Sequence, residues 1–436
     1  MYAPRIPRTT VVRKLLRLAR HPIPTFTQYG REYGANFLLH VGGERITHFT
    51  TDAEVARHVL QRNHRNYEKS EIQTDQMGRY LGFGLLTNSG NDWLRQRRLI
   101  QPGFHRKRLA ALTTEMQSVI TEECQQAAEQ PSIDLFRFTR QLAFDIIVRA
   151  LFTDGFGERE TRRLHSILDK LQAYIIYPIR LPMLRRPLRW AGLERKHLAL
   201  ARESRQLVQR HIDRRKLRST CDPAPNDLLQ MLLDSRYEDT GEPMEDRQLV
   251  DEILILFAAG YETTANALAW TVWLLLRHPT EHERLRTSEE PGYLTQVIEE
   301  SMRLYPPAWI TDRVALGPDT ANGFTIDKGV TLGLFIYGIH HSPQYYDEPE
   351  AFRPDRMHPD AKQQRHPFSY LPFGGGPRLC IGQHFAMLEM QLALRHLVDH
   401  YTVEAVGELP VPEPKPYVTL HQDRPVRVRL RPRTPG

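Results

Sequence analysis

The stretch FGGGPRLCIG, Phe373 to Gly382, carries the densest chemical signal in the chain. Three glycines, a proline and an arginine lead into one cysteine, Cys380, and a helix-like run begins near Ile381 or Gly382. No second cysteine lies near by, so an ordinary zinc site is excluded. His384, four residues on, could share a helix face with Cys380 as a metal co-ligand or as a base. No Gly-Lys-Ser/Thr follows and Gly-x-Gly-x-x-Gly is absent, so the glycines do not cradle a phosphate. They do allow a tight turn and a close approach to a flat, bulky ligand. The positive end of the following helix would favour thiolate over thiol. A thiolate held beneath a flat ligand, with Arg378 two residues before it, describes an axial haem ligand and a propionate partner. A lone cysteine in a Gly-rich turn can equally be a small buried residue, and these ten residues leave both readings open.

A second stretch, LFAAGYETTANALAW (Leu256–Trp270), sits inside the apolar run Leu249–Leu276. Apolar positions on most sides predict a buried helix. Its middle departs from that pattern: Ala258, Ala259 and Gly260 leave backbone uncovered, and Glu262, Thr263 and Thr264 bring polar groups inside. Ala259 and Thr263 share a face. The Thr263 hydroxyl can bond back to the Ala259 carbonyl and loosen the helix there. The product is a groove with a hydroxyl and a carboxylate, roomy enough for a diatomic ligand and a water. Helix packing through small residues, with Glu262 reaching solvent, accounts for the same letters.

Two further pairs have chemical spacing. Glu300 and Arg303 are neighbours at i, i+3, a pair worth about 0.2–0.5 kcal/mol on a surface. Leu304-Tyr305-Pro306-Pro307 stops that helix against an apolar turn, which favours burial, and a buried pair needs a further partner. Arg356 in FRPDR (Phe352–Arg356) could supply it. Trp93 and Arg97, at i, i+4, put an indole N–H and a guanidinium on one helix face, a donor pair suited to a buried carboxylate. A solvated basic helix has the same spacing.

These side chains need a scaffold. The 436 residues, 40% hydrophobic and 25% charged, suffice for one large globular domain or a few small ones. A net charge of +7 points to an acidic partner or an anionic surface and says nothing about fold. Cys124, Cys221 and Cys380 are odd in number and unpaired in spacing, which argues against a disulfide framework and for a reducing, cytoplasmic compartment. The basic N-terminus has no long apolar core and fits neither a signal peptide nor a membrane anchor. Val11–Ala19 reads as a solvated helix or as a short amphipathic turn on a membrane surface. The linker candidates Ser219–Asn226 and Leu409–Pro416 are too short to require a domain boundary. Thr51 to His400 is mostly helical by periodicity, and strand signals sit at Asn36–Phe49, Gly323–Leu334 and Val426–Leu430. The expectation is a mainly α fold with a small β region (α+β) built from both ends of the chain.

In order and spacing these stretches resemble the cytochrome P450 family of haem-thiolate monooxygenases. Phe373–Gly382 is similar to the family's haem-binding signature, and Ala259-Gly260-Tyr261-Glu262-Thr263-Thr264 to its oxygen-activating helix. Glu300, Arg303 and Arg356 match its Glu-x-x-Arg triad, and Trp93 and Arg97 its Trp-x-x-x-Arg. Met357 stands where the family often has an aromatic, and Glu262 where many members carry Asp; neither removes a needed group.

The resemblance spans nearly the whole chain. It implies one catalytic domain over residues 1–436, with β structure at roughly 36–50, 310–340 and 415–431. Heme b (iron protoporphyrin IX) would lie between the long central helix and the cysteine-loop helix. Cys380 would be the sole protein ligand to iron, in the loop bounded by Phe373 and Gly382. Arg378, Trp93, Arg97 and Arg313 would hold the propionates. Thr263, in the groove opened by Gly260, would orient a distal water, and Glu262 would relay protons to it. Glu300, Arg303 and Arg356 would be structural. Phe257, Ala258, Ala308, Trp309, Ile310 and Thr419 would line an apolar substrate pocket, with Val418 and Leu420 beside them and parts of Gly82–Leu86 and Leu171–Leu184 as a lid.

The implied reaction inserts one oxygen atom from O2 into a hydrophobic small molecule, by hydroxylation or epoxidation. Electrons would come from a separate acidic ferredoxin or flavodoxin with its NAD(P)H-dependent reductase, since the short stretch after Cys380 leaves no room for a fused one. That carrier would dock near Arg95, Arg98, Arg106, Lys107 and Arg108. No nucleic-acid partner and no transmembrane anchor are expected, and a monomer is. A peroxide-driven relative and a non-catalytic haem gas sensor or electron carrier are the alternatives. The Glu262–Thr263 pair argues against the first, and a well-supplied apolar pocket against the second.

Overall fold

A 32-residue helix, Asp246–Arg277, is apolar on almost every side and is stable only inside the molecule. Helices Leu135–Leu151, Leu193–Lys216, Tyr293–Leu304 and Gln383–His400 pack against it. It ends at His278, directly before Pro279, because the residue ahead of a proline is pushed out of helical geometry. Near that end Trp270 stacks on Tyr305, with ring centroids 3.8 Å apart and planes 6° off parallel. Such a pair adds about 0.5–1.5 kcal/mol beyond its buried area, and it fixes the Pro-Pro turn after Leu304 against the central helix.

The computed structural model describes residues 1–40, 46–153, 156–217, 225 and 227–433. Cys221, the candidate linker Ser219–Asn226 apart from Pro225, and the middle of Asn36–Phe49 lie outside the described residues.

The fold is mainly helical with a small β region. Asn36–His40, Ile46–Thr50, Thr331–Leu334, Thr311–Ala315 and Tyr67–Glu68 form one sheet in that spatial order. Ile46–Thr50 and Thr331–Leu334 run parallel, with His48 opposite Leu332. Helix Pro22–Tyr33 packs on this sheet through a cluster of Phe26, Phe37, Phe49, Trp309 and Phe335. A second sheet joins Ile133–Asp134, Arg427–Pro432 and Tyr401–Ala405. Pro414–Pro416 pairs with Leu420–Gln422 in a separate two-stranded piece.

Asp319–Ala321 and Phe324–Ile326 form a hairpin whose turn residues, Asn322 and Gly323, have φ of +44° and +81°. That is the backbone an Asn-Gly turn adopts most cheaply. At the N-terminus two short helices, Arg8–Arg13 and Leu15–Arg20, bury Val11 in the aromatic cluster and leave Val12 and Leu16 exposed. Among the described residues no helix is long and apolar enough to cross a membrane.

Candidate active site

The cysteine loop is shaped by glycines that no other residue replaces. Gly374 and Gly376 have φ of +74° and +66°, where an L side chain is strained. A Cβ on Gly376 would also lie 1.8 Å from the Leu60 carbonyl oxygen. The loop closes through the Cys380 N–H, which donates to the Phe373 carbonyl at 3.0 Å, and the Gly374 N–H, which donates to Leu371 at 3.1 Å. The following helix starts at Gln383, capped by Gly382.

The Cys380 side chain is accessible, yet its surroundings are dense enough that burial raises the thiol above its usual range. The sulfur is thus open to a ligand while closely surrounded by protein. Three groups oppose that shift: the Gly382 and Gln383 backbone N–H groups and the Arg97 guanidinium. The side chain is thus built to carry negative charge once a counter-charge arrives. His384 is exposed at the start of the helix. No cluster of three or more His, Cys, Asp or Glu able to hold a metal forms among the described residues.

Four cations gather around this loop. Arg97 Nη1 donates to the Leu379 carbonyl at 2.9 Å. The Arg378 guanidinium lies 5.1 Å from the centre of the buried Trp93 ring. Arg313, on strand Thr311–Ala315, is buried and donates to the Asp312 carbonyl at 2.6 Å. Lys69, absent from the sequence expectations, donates to the carbonyls of Leu85 and Asn88 at 2.6 and 2.9 Å. Burial, with Arg378 and Arg313 adding repulsion, pushes the Lys69 ammonium down to about 6. Burial and Arg378 hold Arg313 down to about 10. Arg97 and Arg378 are lowered too, by burial first. Among the described residues no carboxylate hydrogen-bonds to any of the four, and Arg378 Nη1 is buried without a partner.

On the central helix, Ala259, Gly260 and Thr263 form the open stretch while their neighbours are buried. The Thr263 hydroxyl donates to the Ala259 carbonyl at 2.8 Å, and Thr264 to Gly260 at 3.0 Å. Glu262 is buried and turned aside: its Oε1 lies 2.9 Å from His421 Nε2, and its Oε2 has no partner. Sequence reasoning did not single out His421, although it named Thr419 two residues before it.

Glu300 and Arg303 are fully buried and paired in bidentate fashion, with both N···O distances 2.8 Å. Arg356 Nε lies 3.4 Å from Glu300 Oε1.

The expected substrate wall changes in two places. Phe257 is fully buried on the opposite side of the helix, packed against Phe144, Phe152 and Phe156. Trp309 belongs to the aromatic cluster under the sheet, and its indole N–H donates to the Tyr417 carbonyl at 3.1 Å. Both make core contacts with these aromatic neighbours. Ala308, Ile310 and Val418 are half-buried, and Ala258 and Thr419 are buried. Gly82–Leu86 is tied to the central helix: the Phe83 N–H donates to Asp251 at 2.9 Å and the Leu85 N–H to Glu252 at 3.0 Å. Arg205, on Leu193–Lys216, pairs with the same Asp251 at 3.0 Å.

The family model described as cytochrome P450 matches residues 4–428. The chain belongs to the cytochrome P450 family. Among its relatives, the cyclooctatin synthase of Streptomyces melanosporofaciens is 30% identical over 397 residues, covering 87% of this chain and 85% of that one. The pentalenene oxygenase of Streptomyces avermitilis is 30% identical over 401 residues, covering 88% and 87%. Two solved structures share the fold at 22% identity. The cytochrome P450DA heme domain has a TM-score of 0.83 and covers 100% of this chain and 97% of that one. The retinoic acid bound cyanobacterial CYP120A1 has a TM-score of 0.84 and covers 96% of each.

This cytochrome P450 is therefore a haem-binding monooxygenase, and its residues fit that group. An enclosed thiol beside two N–H groups suits an iron ligand. A half-buried cluster of basic side chains with an orphaned Arg378 Nη1 suits a flat ligand bearing two carboxylates.

Proposed function

We propose that this cytochrome P450 inserts one oxygen atom from O2 into an uncharged, apolar small molecule, as a single catalytic unit fed by a separate acidic electron carrier. The observation that carries the reading is the cluster of Lys69, Arg97, Arg313 and Arg378 gathered at the Cys380 loop, none of them hydrogen-bonded to a carboxylate among the described residues. The haem supplies dioxygen activation when bound, through a thiolate that favours O–O cleavage. Heme b is the form proposed: the chain has no Cys-x-x-Cys-His for covalent attachment, and Cys124 is buried in the helical core.

The chain's own residues then divide the work. Lys69, Arg97, Arg313 and Arg378 neutralise the acidic edge. Thr263 holds a water or a proton in the opened helix turn, and Glu262 supplies protons to it. Ala259, Ala308, Ile310 and Val418 offer the substrate no charge, and the name of the Streptomyces pentalenene oxygenase supports a hydrocarbon-like substrate.

The test is turnover under isotope-labelled dioxygen. One labelled atom is expected in the product. Thr263→Ala is expected to lower the product formed per NAD(P)H, because the proton donor chain is broken, with the remaining reducing equivalents ending as hydrogen peroxide or water. Product carrying no label, or unchanged coupling in Thr263→Ala, would overturn the reading.

The docking face proposed for the carrier is narrower than the sequence suggested. Arg95 pairs with Asp239 at 3.0 Å and covers the Tyr237 ring, and Arg98 lies 3.9 Å from Glu238. Their charges are largely spent. Arg106 and Lys107 are exposed, as are Pro377, Leu379 and His384 around the cysteine loop. First electron transfer from an acidic ferredoxin is expected to slow with rising salt. Arg106→Glu with Lys107→Glu should slow it more than Arg95→Glu with Arg98→Glu. A rate indifferent to salt and to both pairs of reversals would remove this face from consideration.

A further inference from the structure

Glu262, Asn266 and Trp270 form one stripe along the central helix, each a turn after the last, and all three grip the short stretch from Thr419 to His421. Trp270 Nε1 donates to the Leu420 carbonyl at 3.3 Å. Asn266 Nδ2 donates to Thr419 Oγ1 at 3.0 Å. Glu262 Oε1 lies 2.9 Å from His421 Nε2, and that nitrogen is also 3.0 Å from Thr419 Oγ1. The strand Leu420–Gln422 thus delivers an imidazole to a buried carboxylate whose second oxygen, Oε2, is enclosed with no partner.

His421 is placed between that carboxylate and open space. Its ring is flanked by Phe136 at 5.1 Å and Tyr417 at 5.0 Å, and its side chain keeps 14% exposure. The charged and titratable groups facing the pair come from three elements. Arg140, on Leu135–Leu151, acts electrostatically on Glu262 and is paired with Asp169. Asp169, on Glu158–Arg180, accepts from the Tyr261 hydroxyl at 2.9 Å and lies 3.6 Å from His165. Lys415 and Asp423 flank the strand itself, Lys415 lying 5.2 Å from the Tyr417 ring centre. Arg140 is already committed to Asp169, so the imidazole is the group in hydrogen-bond contact with Glu262.

We propose that His421 is the positioning and proton-loading partner of Glu262. It holds the carboxylate out of the Thr263 groove and delivers each proton that Glu262 then carries into it. In the transfer, Nδ1 takes a proton from solvent hydronium, leaving water, and Nε2 releases one to Glu262 Oε1. The hydrogen bond breaks, the protonated Glu262 is free to turn toward Thr263, and the ring rotates back before the next cycle. No electron moves in this step. The two protons of each turnover come from hydronium in the medium, and the electrons come from the carrier of the monooxygenase reaction. The activity part of this inference rests on the monooxygenase reading; the contact itself does not.

The experiment has two arms. In the carbon monoxide form of the 15N-histidine-labelled holoenzyme, the His421 Nε2 resonance, assigned by its loss in His421→Gln, should move on Glu262→Gln. An unmoved resonance overturns the pairing whatever the enzyme's activity. In turnover, His421→Gln keeps an amide donor for Glu262 and carries no proton. It should lower turnover about 100-fold, the lower end of what a positioned proton donor contributes, enlarge the solvent deuterium isotope effect and change the pH profile of coupling, while haem content and substrate affinity stay at wild-type values. A merely structural tether would be rescued by the amide. His421→Gln with wild-type turnover, isotope effect and pH profile would therefore overturn the proposal.

Discussion

Cys380→Ala is expected to give a folded chain whose reduced carbon monoxide complex has lost the thiolate-type Soret band entirely. The loop that presents the sulfur does not depend on it. Gly374 and Gly376 keep their left-handed backbone, Cys380's N–H still reaches the Phe373 carbonyl at 3.0 Å, and Leu379 stays bonded to Arg97. Alanine removes one atom from a position that is open on the ligand side, so the cost in stability is small. Among the described residues no other thiol can take over. Cys124 is fully buried in the helical core, and burial pushes its thiol up to about 12. Cys124→Ala and Cys221→Ala are expected to leave the band unchanged. Absorbance spectra of the three reduced, carbon monoxide-saturated variants decide the matter, and a thiolate band surviving in Cys380→Ala would remove the iron-ligand assignment.

What could be read from the letters is what the chain makes locally. The Gly-rich turn, the back-bonded Thr263 and the Glu300–Arg303 pair each need only a few consecutive residues and a helical period. The central helix was legible for the same reason: a long apolar run admits few other structures. Which face of that helix meets the core was not legible. Phe257 and Ala259 differ by two positions in a helix apolar all round, so periodicity could not say that one packs on Phe144 and the other lies open. Lys69 and His421 were missed because their partners are set by topology. Lys69 finds Leu85 and Asn88 across a loop, and His421 finds Glu262 from 159 residues away. The strands Tyr67–Glu68 and Ile133–Asp134 are two residues long and carry no alternation to detect.

The second large effect is expected at Arg303. Its guanidinium uses every edge. Nε and Nη2 hold Glu300, Nη1 donates to the carbonyls of His340 at 3.0 Å and Pro349 at 2.7 Å, and Nη2 also reaches Ala351 at 3.1 Å. Arg303→Ala leaves a buried carboxylate served only by the Arg353 N–H at 3.0 Å and Arg356 at 3.4 Å, and it strands three carbonyls. Breaking one side of a buried pair costs about 3–5 kcal/mol, a large part of the roughly 5–15 kcal/mol that holds a native protein together.

The damage has a route to the iron site. Burial keeps His340 well below its usual pKa, and its neutral Nε2 accepts from the Leu371 N–H at 2.7 Å. The Leu371 carbonyl in turn holds Gly374, the first strained glycine of the cysteine loop. Arg303→Ala is therefore expected to yield little haem-loaded protein and a urea midpoint lowered by about 1–1.7 M at a slope of about 3 kcal/mol/M, the upper end of the typical range, as suits a chain of this length. Replacing Glu300 and Arg303 together by leucine should be milder than either single loss, because the fully buried carboxylate and guanidinium then go together and neither is left facing an empty partner position. Haem-to-protein ratio and urea unfolding of the single and double variants check this. A soluble, fully haem-loaded Arg303→Ala with altered substrate choice would instead place Arg303 in the binding site.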